Sequence, residues 1–219
     1  MPVMLAWVPM AKRPVAKAKK KPSRTYHHGT LRAALIEATL RLVEEGGAEA
    51  VTVREAARRA GVSSGAPFRH FPNRTVLMTA VAEEATHRLH AAVLAAVEPV
   101  TAEPPLVQLR AIGRAYLQWA SENPTHFAVV SNRGLIDYES SPSMQRENED
   151  IQTLMGRLLD AAGAPAGAKL AARALVYGLA RMRIDGHLPQ WGVASSQEAL
   201  AAMDATLDLF LEGLLRPRG

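Results

Sequence analysis

The chain has 219 residues, of which 48% are hydrophobic, a composition typical of folded proteins that argues against wholesale disorder. The sequence contains no cysteine, which excludes disulfide scaffolds, cysteine-based zinc sites and cysteine nucleophiles and favours a cytoplasmic location. No apolar run is long enough to cross a bilayer, so we expect no membrane partner.

Positive charge is concentrated at the N-terminal end of the chain. Residues 1–28 contain no acidic residue and carry a net charge of +7, residues 1–90 carry +8, and residues 91–219 carry −3. A basic end joined to a mildly acidic remainder predicts one part that binds a polyanion and another part with a different role. Residues 1–24 are interpreted as a basic disordered arm, which is either a phosphate-binding segment or only a solvated tail.

From residue 29 onward, almost every segment has the apolar spacing and the end signals of a helix. The first helix places Leu31, Leu35 and Leu42 on one face before Gly46 and Gly47 end it. Nine helices are predicted in total, and they begin near residues 29, 52, 63, 73, 105, 124, 142, 167 and 195. Because no segment has a convincing strand pattern, the predicted fold class is all-α.

The segment of residues 52–71, TVREAARRAGVSSGAPFRHF, predicts a helix-turn-helix. Its first four residues form a capping box, and Gly61 ends the first short helix. Ser63 can cap a second short helix, which Pro72 would terminate. Two short helices joined by a glycine turn inside a three-helix unit are typical of DNA-binding proteins, although an ordinary corner of a helical bundle has the same pattern.

Residues 30–85 resemble the DNA-binding domain of TetR-type transcriptional regulators. The similarity is most specific in TVREAARRAGVSSGA and FRHFPNRTVL, while RTYHHGTLR and APFRHF are similar to one subgroup of the family. The C-terminal ALVYGLARMRIDGHL is more loosely similar to the ligand-and-dimer domain of that subgroup. The resemblance implies a sequence-specific regulator of transcription. The expected mechanism is a repressor that a small ligand releases from its operator, and the aromatic and methionine residues of the 110–185 region predict that this ligand is apolar or amphiphilic.

The resemblance and the chemistry of the motif together indicate a DNA-contact surface. Its candidate residues are Tyr26, His27, His28, Thr52, Arg54, Ser63, Ser64, Gly65, Ala66, Phe68, Arg69, His70 and Arg74. The small residues would lie on the floor of the major groove, Arg69 would reach guanine or phosphate, and Thr52, Arg54, His70 and Arg74 would contact phosphate. The chain departs from the family pattern at two positions, because Phe68 lacks the hydroxyl of the usual Tyr and Pro67 removes a backbone donor.

For the larger part of the chain, the resemblance implies a homodimer with a small-molecule pocket in each subunit. The predicted domains are the arm of residues 1–24, the helix-turn-helix domain of residues 25–72, and a ligand-binding and dimerisation domain of residues 73–219. Candidate pocket residues are Tyr116, Trp119, His126, Phe127, Met155, Tyr177 and Arg181. Candidate dimer residues are Ala171, Ala174, Gly178, Leu200, Met203, Leu207, Leu211 and Leu214, although packing within one chain explains each of them equally well.

Three other functions fit parts of the sequence less well. The residues GVSSG formally match the nucleophile elbow of serine hydrolases with Ser63 as nucleophile, but that motif requires a preceding strand where this chain predicts a helix. An architectural protein that coats DNA without sensing a ligand would not need the roughly 120 residues beyond the DNA-binding unit. The basic arm suits anionic lipid, but the helices lack matching basic faces. We therefore expect double-stranded DNA with a near-palindromic operator as partner, no enzymatic activity, no cofactor and no bound metal.

Overall fold

A computed structural model describes residues 28–214, apart from the side chains of residues 28–30 and 196. This part of the chain contains no strand and forms eight α-helices: α1 (His28–Gly46), α2 (Val53–Arg59), α3 (Arg74–Val97), α4 (Pro105–Glu122), α5 (Pro124–Val130), α6 (Pro142–Ala161), α7 (Ala168–Ile184) and α8 (Ser196–Leu214). The predicted all-α fold is confirmed. None of these helices combines the length and hydropathy that crossing a membrane requires. The predicted arm of residues 1–24 lies outside the described residues.

Eight of the nine predicted helices are present as α-helices. The exception is the short helix predicted to begin near residue 63. Where the sequence predicts an α-helix capped by Ser63, the chain makes a turn followed by a 3-10 helix, Pro67–Arg69. The reason is chemical, because Pro67 has no N–H and cannot donate to the Ser63 carbonyl four residues earlier. That carbonyl instead accepts from the N–H of Ala66, three residues on, at 3.1 Å.

Side-chain caps set several helix starts where the sequence predicts them. Thr52 Oγ1 accepts from the backbone N–H of Glu55 at 3.0 Å, and Asn73 Oδ1 accepts from the N–H three residues on at 2.9 Å. Ser195 and Glu198 form a complete capping box, in which each side chain accepts from the backbone N–H of the other residue at 3.1 Å and 2.8 Å. These backbone donors hold the pKa of Glu198 below its usual range.

The hydrophobic core has two parts, and α3 runs through both. The N-terminal core packs α1 and α2 against the first half of α3, around Leu77 and Val81, and takes in Met144 from the start of α6. The C-terminal core packs α4, α6, α7 and α8 around the second half of α3, from Ala85 to Val97. One continuous 24-residue helix therefore connects the helix-turn-helix region with the C-terminal bundle.

Candidate DNA-binding surface and ligand cavity

The helix-turn-helix is built around a thin α2. Ala56 and Ala57 are completely buried, so their small side chains allow α2 to pack closely against its neighbours. Gly61 has a φ of +69°, in the left-handed region that favours glycine, and it turns the chain out of α2. Pro67 and Phe71 are buried and anchor the 3-10 helix. Between these anchors, Phe68 and Arg69 are exposed.

The predicted DNA-contact residues of this unit lie at the protein surface. Thr52, Arg54, Ser63, Ser64, Gly65, Phe68 and Arg69 are exposed or partly exposed, and Ala66, His70 and Arg74 are half-buried. Phe68 is a large apolar side chain with 40% of its surface exposed, so its ring is available for contact with a partner. Tyr26 and His27 lie outside the described residues, as does the side chain of His28.

Arg74 has a structural contact in addition to its predicted role. Its Nη2 donates to the carbonyl oxygen of Ala48 at 2.9 Å and lies 3.8 Å from Glu49 Oε1. The side chain therefore joins the start of α3 to the 3-10 helix Ala48–Ala50 between α1 and α2. The guanidinium has five N–H donors, so this contact leaves others for phosphate.

The position of Ser63 in the fold does not match that of a hydrolase nucleophile. A nucleophile elbow places its serine on a sharp turn between a strand and a helix. Ser63 instead follows α2 and precedes a turn, and residues 28–214 contain no strand. The structure therefore does not support a serine hydrolase.

A cavity of about 290 Å³ lies within the C-terminal bundle, between α3, α4, α6, α7 and α8. Its wall is mainly apolar and includes Leu89 and Val93 of α3, Ile112 of α4 and Leu207 of α8. Gly113 permits the close approach of α4 and α8 beside it, because a Cβ at this position would lie only 2.7 Å from Leu207 Cδ2. This volume is close to the lower end of the range for small-molecule sites, roughly 300 Å³.

Four polar side chains join the cavity wall, Asn148 and Gln152 from α6 and Lys169 and Arg173 from α7. The guanidinium carbon of Arg173 lies 4.9 Å from the centroid of the Tyr116 ring, an arrangement that permits a cation–π interaction. Burial raises the pKa of Tyr116, and the nearby charge of Arg173 partly opposes that shift. Lys169 and Arg173 line the cavity and are also exposed, so the wall reaches solvent at these two residues of α7, which we call the mouth of the cavity.

The structure brings only some of the predicted pocket residues to this cavity. Tyr116 and Met155 line it, whereas Phe127 and Tyr177 join Tyr116 around an adjacent cavity of about 40 Å³. Trp119 is buried in the core, His126 is half-buried away from the wall, and Arg181 is paired with Asp185 at 2.9 Å.

Sequence reasoning missed the four polar lining residues. The available signal was the spacing of Lys169 and Arg173, one turn apart on a helix whose next turns carry apolar residues. Asn148 and Gln152 have the same one-turn spacing on α6, but their shared face is assigned only by the packing of the bundle.

The predicted dimer residues divide between the surface and the interior. Ala171, Ala174 and Leu200 are exposed, and Gly178 and Leu214 are half-buried. The prediction needs correction for Met203, Leu207 and Leu211, which are only 1%, 3% and 7% exposed because they pack in the core of their own chain. Ion pairs from α4 align this face of α8, as Arg110 binds Asp208 and Arg114 Nη2 lies 2.9 Å from Asp204 Oδ2.

The opposite face of α8 is exposed to solvent. It presents Ala201, Ala205 and Leu209, and Leu209 is 66% exposed. Small residues beside an exposed leucine permit close contact with another helix.

Two family models match the chain. The model described as bacterial regulatory proteins of the tetR family matches residues 35–81, and the model described as the C-terminal domain of tetracyclin repressor-like proteins matches residues 109–207. No curated protein matches the sequence significantly.

Solved structures share the fold over nearly their whole length. A protein of unknown function from Rhodococcus sp. RHA1 is 27% identical, with a TM-score of 0.70 over 89% of this chain and 100% of that one. The TetR family transcriptional regulator PfmR from Thermus thermophilus is 22% identical, with a TM-score of 0.64 over 83% of this chain and 99% of that one. A single-residue variant of TetR from Acinetobacter baumannii, in complex with minocycline, is 22% identical, with a TM-score of 0.59 over 86% of this chain and 96% of that one.

Proposed function

Because this chain belongs to the TetR family of bacterial transcriptional regulators, we propose that it is a repressor that a small apolar or amphiphilic ligand releases from its operator. The observation that carries this proposal is the path of α3. The helix begins at Arg74, directly after the helix-turn-helix, and lines the cavity with Leu89 and Val93. A change of packing around the cavity therefore acts on the same helix that supports the DNA-binding unit.

The exposed surface of residues 52–69 supports the proposed DNA contact. In our assignment, the small residues around Gly65 approach the base edges and Arg69 reads a base, while Thr52 and Arg54 contact phosphate. The short 3-10 helix Pro67–Arg69 presents Phe68 beside Arg69. Phe68 would then lie against the sugar–phosphate backbone or a thymine methyl group.

The exposed faces of α7 and α8 support a homodimer. Ala171 and Ala174 on α7, with Ala201 and Leu209 on α8, are exposed and mostly small, which suits helix-to-helix packing between two copies. A two-fold dimer presents two recognition elements about 34 Å apart, which corresponds to a near-palindromic operator read in successive major grooves.

The cavity supports the proposed effector. A TetR relative is in complex with minocycline, so this fold accommodates a small-molecule ligand. Release requires that the ligand bind the DNA-incompetent spacing of the two helix-turn-helix units better than the competent one. A tenfold preference corresponds to about 1.4 kcal/mol per site.

The test begins with DNA fragments selected from a random pool by the purified full-length chain. We expect enrichment of a near-palindromic sequence. Fluorescence anisotropy should then show that the protein binds this sequence much more tightly than scrambled DNA of the same composition. Equal affinity for both DNAs over a range of salt concentrations would instead support the architectural alternative. Binding to anionic vesicles as tight as to selected DNA would support the membrane-surface alternative.

A further inference from the structure

We infer that the cavity between α3, α4, α6, α7 and α8 takes an amphiphile with an anionic head group, such as a carboxylate, which Lys169 and Arg173 bind at its mouth. This inference deepens the proposed function and rests on its claim that the cavity is the ligand site. It names the charge of the ligand, which the proposal leaves open.

The charges around the cavity carry the inference. Lys169 and Arg173 stand one turn apart on α7 and are the charged residues of the cavity lining, which contains no Asp or Glu. Neither residue takes part in an ion pair among the described residues. Two cations at this spacing repel each other. A bound anion would remove that repulsion, whereas a cationic ligand would increase it.

The position of Arg173 suits a carboxylate. The Tyr116 ring lies 4.9 Å and the Tyr177 ring 5.7 Å from its guanidinium carbon, so two aromatic rings hold the group beside the cavity. A guanidinium held in this way can donate two parallel hydrogen bonds to a carboxylate. Arg173 is also exposed and its guanidinium has five N–H donors, so the donors that do not bond to Tyr116 remain accessible from the mouth.

The remainder of the wall selects an apolar tail. Apart from the amides of Asn148 and Gln152 and the hydroxyl of Tyr116, the lining residues from α3, α4, α6 and α8 carry no polar side-chain group. Burial of an apolar chain is favourable in proportion to the apolar area it removes from water, so the tail supplies much of the affinity. The head group then provides discrimination between ligands of equal length.

The experiment compares three amphiphiles that differ only in head group, namely decanoate, decan-1-ol and decyltrimethylammonium. Each is titrated, below the concentration at which micelles form, against the full-length protein without DNA, and displacement of the bound anionic dye anilinonaphthalene sulfonate is measured. We expect decanoate to displace the dye at an at least tenfold lower concentration than decanol, as charge-assisted hydrogen bonds predict, and the ammonium compound to bind most weakly. Equal displacement by decanoate and decanol, or no displacement by decanoate, overturns the inference.

Variants locate the head-group contacts. Arg173→Gln and Lys169→Gln should each weaken decanoate binding about tenfold and leave decanol binding unchanged. Arg157→Gln is the matched control, because Arg157 is an exposed residue of α6 outside the cavity lining. Ala172→Phe, which places a ring in the cavity wall, should weaken decanoate and decanol alike. Thermal unfolding verifies that each variant is folded. Decanoate binding that is unchanged in Arg173→Gln, Lys169→Gln or Ala172→Phe overturns the inference.

The inference and the proposed function fail in different ways. If decanoate binds with the expected head-group dependence but never releases selected DNA, the proposed release mechanism is wrong and the ligand assignment stands. If decanol releases DNA as well as decanoate does, the release mechanism stands and the anionic preference is wrong.

Discussion

Ser141 Oγ, at the N-terminus of α6, donates a 2.9 Å hydrogen bond to Glu83 Oε1 near the middle of α3. The second carboxylate oxygen of Glu83 accepts from Arg32 of α1 at 3.0 Å. Ser141 also caps α6, where its Oγ accepts from the backbone N–H of Met144 at 3.4 Å. Because α6 lines the cavity further along its length, the Glu83 carboxylate connects α6 with α3 and with α1, the first helix of the DNA-binding unit.

The first prediction concerns the buried hydroxyl of Ser141. Ser141→Ala removes a helix cap and leaves one oxygen of Glu83 without its donor, so it should lower the free energy of unfolding by about 1–2 kcal/mol. Ser140→Ala is the matched control, because Ser140 is exposed and its Oγ donates only to the Asp137 carbonyl, at 3.0 Å. Its expected loss is below about 0.5 kcal/mol. Urea denaturation measures both, and equal losses would contradict the prediction.

The second prediction concerns base recognition by Arg69. Arg69→Ala should weaken binding to the selected operator by about 1–3 kcal/mol and change binding to random DNA much less. Arg58→Ala is a suitable control, since Arg58 is exposed on α2 but paired with Glu55 and is not a predicted DNA contact. Anisotropy titrations at one salt concentration measure both variants. The same loss on both DNAs would make Arg69 a phosphate contact only.

The third prediction concerns the basic N-terminal segment. If all seven net charges of residues 1–28 met phosphate, log K against log salt would be steeper by about 6 per subunit. Deletion of residues 1–23 should remove about a third of that slope, because only part of the segment would engage DNA at once. Titrations at several salt concentrations measure the slope. A slope that does not change on deletion would show that this segment is a passive tail.

The fourth prediction separates the two faces of α8. Leu207 is 3% exposed and Leu209 is 66% exposed, although they are two residues apart. Leu207→Ala should lower the free energy of unfolding by about 2–5 kcal/mol, because it leaves a void in the core. Leu209→Lys should leave the fold intact and weaken the proposed homodimer. Thermal unfolding measures the stability of each variant, and sedimentation velocity measures its oligomeric state. A dimer unaffected by Leu209→Lys would show that the interface does not include this face of α8.

The fifth prediction concerns pH and His126. Burial, with a smaller contribution from the charge of Arg88, holds the pKa of this half-buried imidazole below its usual value. Its Nε2 is buried without a hydrogen-bond partner among the described residues. The unfolded chain therefore takes up the proton at a higher pH than the folded chain, so stability falls as pH drops below the ordinary histidine pKa of about 6.5.

A histidine-to-glutamine comparison tests this dependence. His126→Gln removes the titrating group, so its stability relative to the parent protein should be higher near pH 5 than near pH 8. His187→Gln, at an exposed position, should follow the parent protein across this range. Melting temperatures at both pH values are the measurement. The same pH dependence in all three proteins would show that His126 does not contribute to it.

Features that depend on neighbouring residues could be predicted from the amino-acid order alone. Helix starts at Thr52, Asn73 and Ser195 follow from side chains that bond to backbone groups three residues away. The helix-turn-helix is recognisable for the same reason, since its turn and its anchors lie within about twenty residues of one another. Even the failure of the predicted helix at Ser63 is local, because Pro67 lacks the required N–H.

What each apolar or charged face meets depends instead on how the helices pack. Both faces of α8 carry leucines, and packing against α4 and α7 buries Leu207 while Leu209 stays exposed. Lys169 of α7 and Gln152 of α6 line the same cavity although they lie on different helices. Helical periodicity defines which residues share a face. The partner of that face follows from the arrangement of all the helices, which minimises the free energy of the whole chain rather than of any one segment.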